Sequence, residues 1–285
     1  MFQDNPLLAQ LKQQIRENIP KKEGVIRASD RGFGFLEVDE KTSYFVPPPY
    51  MKKVMHGDRV SALIRTEKEK EVAEPDALLE QAVTRFVGRV KMFRDRLNVV
   101  PDHPLIKDAI KARAKKGLDE KSFKEGDWVV ATLKRHALVD GNFSAEITQL
   151  IATQEDHNVP WWVVLARHNL AQIEPADLPE WKVIEEEELP RRDLTQVPFF
   201  TIDGAKTKDM DDALAITKLE NGWELLVAIA DPTAYVAEGS ELDKEAAQRA
   251  FTVYMPGRNV PMIPRTLSDE LCSLKEGEER NTLCA

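Results

Sequence analysis

Gly24-Val-Ile-Arg-Ala28, Gly32-Phe-Gly-Phe-Leu-Glu-Val38 and Ser43-Tyr-Phe-Val46 are short runs of β-branched and aromatic residues with turn-forming residues between them. Gly57-Asp-Arg-Val-Ser-Ala-Leu-Ile64 follows, a glycine turn leading into another run of the same kind. Closely spaced short strands of this kind predict a small barrel over residues 20–83. A second copy is legible downstream. Phe86-Val-Gly88-Arg-Val90 echoes Gly24-Val-Ile26, and Gly126-Asp127-Trp-Val129 echoes Gly57-Asp58-Arg-Val60. The glycine landmarks are 33 residues apart in the first copy and 38 in the second, which predicts a duplicated barrel over 84–155.

Outward from the barrels, Asn5 and Pro6 suit an N-cap and a first helical position, and Leu7, Leu11 and Ile15 share one face. A short helix is predicted over 1–19, ended by Pro20. Residues 156–195 read as a partly helical linker. A helix starts at Pro160, and Pro175, Pro179, Pro190 and the solvated run Glu185–Glu188 interrupt the pattern. A further domain is predicted over 196–285, with buried strands at Phe199–Ile202 and Trp223–Ala230 and a helix from Leu242 to Phe251. The fold class is α+β: two OB-type barrels, then the beginning of an α/β domain.

Composition narrows the function. The chain has 285 residues, 42% hydrophobic and 31% charged, ordinary for a globular protein. Nothing predicts a bilayer span or a signal peptide. Cys272 and Cys284 are too few for a disulfide framework, so a reducing, cytoplasmic setting is expected. A monomer is expected as well. The net charge of −9 hides an asymmetry. Residues 1–155 hold 27 Lys/Arg against 24 Asp/Glu, and residues 156–285 hold 13 against 25. A mildly basic half joined to an acidic one suits a polyanion-binding module attached to a metal site, and equally suits charge varying between domains.

In Arg31-Gly-Phe33-Gly-Phe35-Leu36, strand alternation puts both phenylalanines on one face, with small glycines beside them. Open rings there stack single-stranded bases; the competing reading makes them barrel core. Arg27, Arg31, Lys52 and Lys53 are nearby candidates for phosphate contacts. The run resembles the K-G-F-G-F element of cold-shock domains, which implies single-stranded nucleic acid on an OB-type barrel.

Thr201-Ile-Asp203-Gly-Ala-Lys-Thr-Lys-Asp209-Met-Asp211-Asp212-Ala-Leu214 gathers four aspartates in ten residues. All-oxygen donors suit Mg²⁺ or Mn²⁺ rather than zinc. An exposed acidic turn is the plain alternative. An EF-hand fits poorly, because no glycine stands at the required place, and no phosphate-binding P-loop is present. His103, His136, His157 and His168 lack metal-ligand spacing, and Asp231-Pro232 reads as a turn former.

The aspartate run, followed by Val227-Ala-Ile-Ala-Asp231-Pro-Thr, Tyr254-Met-Pro, Pro261-Met-Ile-Pro264 and Leu267-Ser-Asp-Glu-Leu-Cys-Ser-Leu274, resembles the start of the catalytic domain of the ribonuclease II/R family. The order of domains is similar too. The resemblance implies a 3′→5′ exoribonuclease that hydrolyses single-stranded RNA to nucleoside 5′-monophosphates with Mg²⁺. It implies that Asp203, Asp209 and Asp212 are metal ligands, that Asp211 helps hold metal and attacking water, and that Tyr254 stacks near the RNA 3′ end. The family's catalytic domain continues beyond what is present here, with a further acidic residue, an arginine, a base-sandwiching aromatic and an S1-type barrel. The chain is therefore expected to be an N-terminal part, with apolar strands left unpaired. A non-catalytic single-stranded RNA-binding piece and an acidic scaffold that binds no metal are the other readings.

Overall fold

A computed structural model describes residues 19–67, 70–184 and 190–285. The predicted N-terminal helix and the Glu185–Glu188 run lie outside these residues. The chain divides into two compact units, one up to His168 and one from Asn169.

The first unit holds both barrels. Barrel 1 comprises β1 (Lys21–Ala28), β2 (Gly34–Glu37), β3 (Ser43–Val46), β4 (Arg59–Glu67) and β5 (Lys70–Glu80), closed in the order β1-β2-β3-β5-β4. Barrel 2 comprises β6 (Arg85–Phe93), β7 (Arg96–Pro101), β8 (Ile110–Ala114), β9 (Trp128–Arg135) and β10 (Ser144–Ala152), closed in the order β6-β7-β8-β10-β9. The two orders are the same, and in each the third and fifth strands pair in parallel. Both barrels are OB-type, and the duplication read from two glycine landmarks is a duplication of the whole topology.

The landmarks recur for physical reasons. Gly57 and Gly126 have φ of +91° and +88°, a left-handed region that a side chain disfavours. Each turn is tied to the first strand of its barrel by a reciprocal pair of backbone bonds. Ile26 N–H reaches Asp58 O at 2.8 Å and Gly57 N–H reaches Ile26 O at 2.8 Å. In barrel 2, Val90 N–H reaches Asp127 O at 2.8 Å and Gly126 N–H reaches Val90 O at 2.9 Å. A Cβ at Gly24 would lie 2.3 Å from Glu37 O, and one at Gly88 2.5 Å from Val100 O. The first strand of each barrel therefore crosses its neighbour where only glycine fits.

Alternate residues fill the cores. Ile26, Leu36, Val46, Val60 and Ala62 are fully buried in barrel 1; Val90, Leu97, Val99, Val129 and Ile147 do the same in barrel 2. The barrels share a buried polar joint. The Asp58 carboxylate, with no exposure, accepts from Met55 N–H at 2.6 Å and Ala82 N–H at 3.1 Å. His136 Nε2 lies 2.9 Å from Asp58 Oδ2. Because His136 Nδ1 accepts from Leu138 N–H at 3.3 Å, the proton facing Asp58 belongs on Nε2.

The helix expected in the linker is Val159–Arg167, and it packs on barrel 2. Val163 and Ala166 are buried with Val87, Val130, Ile151 and Ala152, and Arg85 donates to Ala166 O at 2.9 Å.

In the second unit, β11 (Asp212–Leu219), β12 (Gly222–Ala230) and β13 (Thr282–Cys284) form an antiparallel sheet in the order β11-β12-β13. The predicted helix spans Glu241–Arg249, with Ser240 Oγ accepting from Asp243 N–H at 3.1 Å. Two expectations are corrected here. Phe199–Ile202 is not a regular strand: Phe200 makes a single bridge to Leu214, and Ile202 is exposed. Nor is β12 buried, since Trp223, Leu225 and Ile229 are exposed, as are Ile216 and Leu283 beside it in the sheet. Three strands offer too little partner surface to bury this many apolar groups.

Candidate functional site

The aspartates sit on a loop pinned at both ends. Phe200 N–H and Leu214 O bond at 2.8 Å and Leu214 N–H and Phe200 O at 2.9 Å, which holds the segment before Asp203 beside the start of β11. A turn closed by Thr207 N–H and Gly204 O at 2.9 Å sends the chain back. Ala230 N–H donates to Asp211 O at 2.8 Å, fixing the last aspartates to β12.

The middle of the loop rests on Ser273, which has no exposed surface. Its hydroxyl accepts from Met210 N–H at 3.1 Å and donates to Lys208 O at 2.6 Å, while Leu274 N–H donates to Met210 O at 2.9 Å. The helical turn Thr266–Leu271, closed by Cys272 N–H on Leu267 O at 2.9 Å, delivers Ser273 to that position. In the sequence Ser273 stands only as one residue of the Leu267–Leu274 run, because a serine signals no role until the loop it clamps is in place.

The electrostatics follow from crowding. Packing around Asp211, then the like charges of Asp209, Asp212 and Asp203, raise its carboxyl above the usual range. Tyr254 OH donates to Asp209 Oδ2 at 2.5 Å. That bond, then burial and the neighbouring carboxylates, pushes the phenol up to about 12. Tyr254 is 65% exposed, so its ring stands outside the core. Asp231 is structural: its carboxylate accepts from Thr233 N–H at 3.1 Å and from Arg191 at 2.7 Å.

All four carboxylates thus occupy one electrostatic neighbourhood. Among the described residues, however, no three His, Cys, Asp or Glu side chains converge closely enough to share one ion. The donor chemistry still fits a hard cation. Mg²⁺ keeps several waters and takes one or two protein carboxylates, and the like charges that add to burial in raising Asp211 mark a place where positive charge is favoured.

Barrel 1 presents the second candidate surface. Phe35 packs edge to face with both Phe33 and Phe45, which are tilted against each other, with centroids 5.5 to 6.0 Å apart. Phe35 is 40% and Phe45 38% exposed, so the cluster lies outside the core that Ile26 and Leu36 fill. A Cβ at Gly34 would lie 2.8 Å from Arg27 O, so glycine is what lets β2 approach β1 beside this face. Arg31, Lys52 and Lys53 are exposed. Phe45 was not singled out from sequence, although the alternation of Ser43-Tyr-Phe-Val46 and its pairing opposite Phe35 place it here.

Three family models match along the chain: the Ribonuclease B OB domain over 24–80, the cold shock domain over 99–173 and the RNB domain over 191–285. Exoribonuclease 2 of Aeromonas hydrophila is 95% identical over the whole chain, which covers 42% of that protein. Exoribonuclease 2 of Vibrio vulnificus is 60% identical, with 43% of it covered. The chain thus spans about two fifths of the length of these relatives. Among solved structures, Mycoplasma genitalium RNase R in complex with ribose methylated single-stranded RNA has a similar fold, with a TM-score of 0.63 at 23% identity over 92% of this chain and 43% of that one. With its OB-type barrels and RNB segment in this order, and 95% identity to a relative across its whole length, the chain belongs to the RNB, or ribonuclease II/R, family.

Proposed function

We propose that this chain carries the RNA-engaging barrels and the metal-binding loop of a 3′→5′ exoribonuclease. The enzyme hydrolyses single-stranded RNA from its 3′ end to nucleoside 5′-monophosphates, in cytoplasmic RNA turnover. The observation that carries the reading is the aspartate loop, where Tyr254 bonds Asp209 and where burial and the like charges of Asp209, Asp212 and Asp203 raise Asp211. Asp203, Asp209, Asp211 and Asp212 would hold Mg²⁺ or Mn²⁺. The metal, when bound, would polarise the scissile phosphate and supply an activated water. Asp211 holds a proton more readily than an ordinary carboxyl, which suits it to orient that water and accept its proton. Tyr254 fixes Asp209 through its hydroxyl and leaves its ring open to the terminal base. Phe33, Phe35 and Phe45 stack bases upstream without regard to sequence, at about 1–3 kcal/mol each, and Arg31, Lys52 and Lys53 are the nearby phosphate contacts.

A 3′-labelled single-stranded RNA incubated with Mg²⁺ and the complete gene product is expected to release labelled mononucleotides. Asp211→Asn should abolish release while RNA binding persists; retained hydrolysis would sink the assignment. The open apolar sheet of the second unit favours one other reading, a piece that binds single-stranded RNA without cutting it. Binding by the complete product with no shortening of the RNA would select that reading.

A further inference from the structure

The duplication lets the barrels be aligned residue by residue, and their outer faces differ in chemistry. Gly24 and Gly88 occupy equivalent positions, as do Ile26 and Val90 in their bonds to the Gly-Asp turns. From that anchor the pairings run in step. In barrel 1, Phe35 lies across from Arg27 on one side and Phe45 on the other. In barrel 2, Asn98 lies across from Lys91 on one side and Lys111 on the other. Two residues earlier, Phe33 corresponds to Arg96. The aromatic trio Phe33, Phe35 and Phe45 is thus Arg96, Asn98 and Lys111 in barrel 2.

Further residues extend this cationic face. Phe93 pairs directly with Arg96 and is 62% exposed near the tip of the β6–β7 hairpin. Directly paired residues project to the same side of a sheet, as do residues two apart along a strand. Lys91, Phe93, Arg96, Asn98, Lys111 and Arg113 therefore share one outer face, while Leu97, Val99, Ile110 and Ala112 turn into the core. The β7–β8 ladder covers only Asn98–Lys111 and Val99–Ile110, whereas in barrel 1 the equivalent ladder runs one pair further at each end, to Gly34–Val46 and to Glu37–Ser43. Where it stops in barrel 2 there is a cavity of about 290 Å³ lined by Arg96, Lys111 and Arg113, and also by Asp95 and Glu120. Among the described residues, none of these three cations makes an ion pair. Unpaired guanidinium and ammonium groups around a concavity are suited to phosphate oxygens, which Arg can engage in bidentate fashion.

We propose that the outer face of β6, β7 and β8 is a phosphate-binding site for single-stranded RNA, in which Arg96, Lys111 and Arg113 hold the backbone that barrel 1 leaves to its aromatic face for base stacking. The proposal rests on the reading of the chain as an RNA-binding protein. It divides the labour between two copies of one fold: bases on the first, backbone on the second.

The test is binding of a fluorescein-labelled oligouridylate to the full chain in EDTA, with affinity followed against salt. Each phosphate contact to a single strand contributes about 0.7 to the slope of log K against log salt. The triple variant Arg96→Gln, Lys111→Gln, Arg113→Gln should flatten the slope by about 2 and weaken binding at 0.1 M salt by up to about 100-fold. Arg96→Lys with Arg113→Lys should keep the slope, which separates charge from any effect on folding. Phe33→Ala, Phe35→Ala, Phe45→Ala together should weaken binding with the slope unchanged. A triple glutamine variant that binds with wild-type slope would overturn this site alone. A wild-type chain that binds no oligouridylate would overturn it together with the proposed function.

Discussion

At the residue scale, Tyr254 and Ser273 are held by bonds that can be removed singly. The phenol of Tyr254 is raised to about 12 chiefly by its bond to Asp209. A group whose folded pKa lies above its unfolded value stabilises the fold fully below the unfolded value, here about 10. That contribution is lost as pH climbs through about 12. Asp209→Asn should bring this tyrosine's titration, read by ultraviolet absorbance, back toward the ordinary range; an unchanged curve would show that the bond does not form. Asp211 is a carboxyl raised by burial and like charge, so its sign is opposite to that of a paired aspartate. Its ionised form disfavours the fold, and the penalty appears as pH rises through the raised pKa. Asp211→Asn should therefore raise Tm slightly at neutral pH, by a few degrees at most given solvent screening, even as hydrolysis is lost. Ser273→Ala leaves Met210 N–H and Lys208 O without their hydroxyl partner in a half-buried setting. It should cost about 1–3 kcal/mol in urea unfolding.

At the scale of elements, the duplicated barrel was readable because its landmarks are steric. Only glycine fits at Gly24 and Gly88, and Gly57 and Gly126 need a left-handed backbone. Gly24→Ala and Gly88→Ala should each destabilise the chain by about 1–3 kcal/mol through overpacking against a carbonyl, measured by urea unfolding. The joint between Asp58 and His136 left no trace in the pattern of residues. The two are 78 positions apart, and a histidine or aspartate in a loop reads as exposed until the second barrel docks on the first. His136→Ala should cost about 1–3 kcal/mol for the weakened satisfaction of a buried carboxylate, and a cost near zero would show the joint to be dispensable. Phe199–Ile202 erred in the other direction. Its apolar run satisfies strand propensity, but propensity counts for little where the pairing with β11 stops at the one bridge between Phe200 and Leu214.

At the scale of the molecule, the two units differ in how well they enclose their apolar side chains. The first buries Ile26, Leu36, Val99, Ile147 and Leu165 to nothing, whereas the second leaves Ile216, Trp223, Leu225 and Ile229 on its surface. The whole chain is expected to bind anilinonaphthalene sulfonate, and a fragment ending at His168 to fold with far less dye bound; equal dye binding by the two would place the exposed apolar surface elsewhere. The sequence by itself determined the barrels, their duplication, the RNB motif and the clustering of Asp203, Asp209, Asp211 and Asp212. These rest on short-range spacing: alternation within a strand, glycine at a forced turn, carboxylates a few residues apart. Tertiary structure decided the rest: that Phe45 joins Phe33 and Phe35, that Ser273 clamps the aspartate loop, that Tyr254 reaches Asp209, and that barrel 2 answers an aromatic face with a cationic one. Each is a meeting of side chains on different strands or loops. Register and closure, which no local pattern encodes, bring them together.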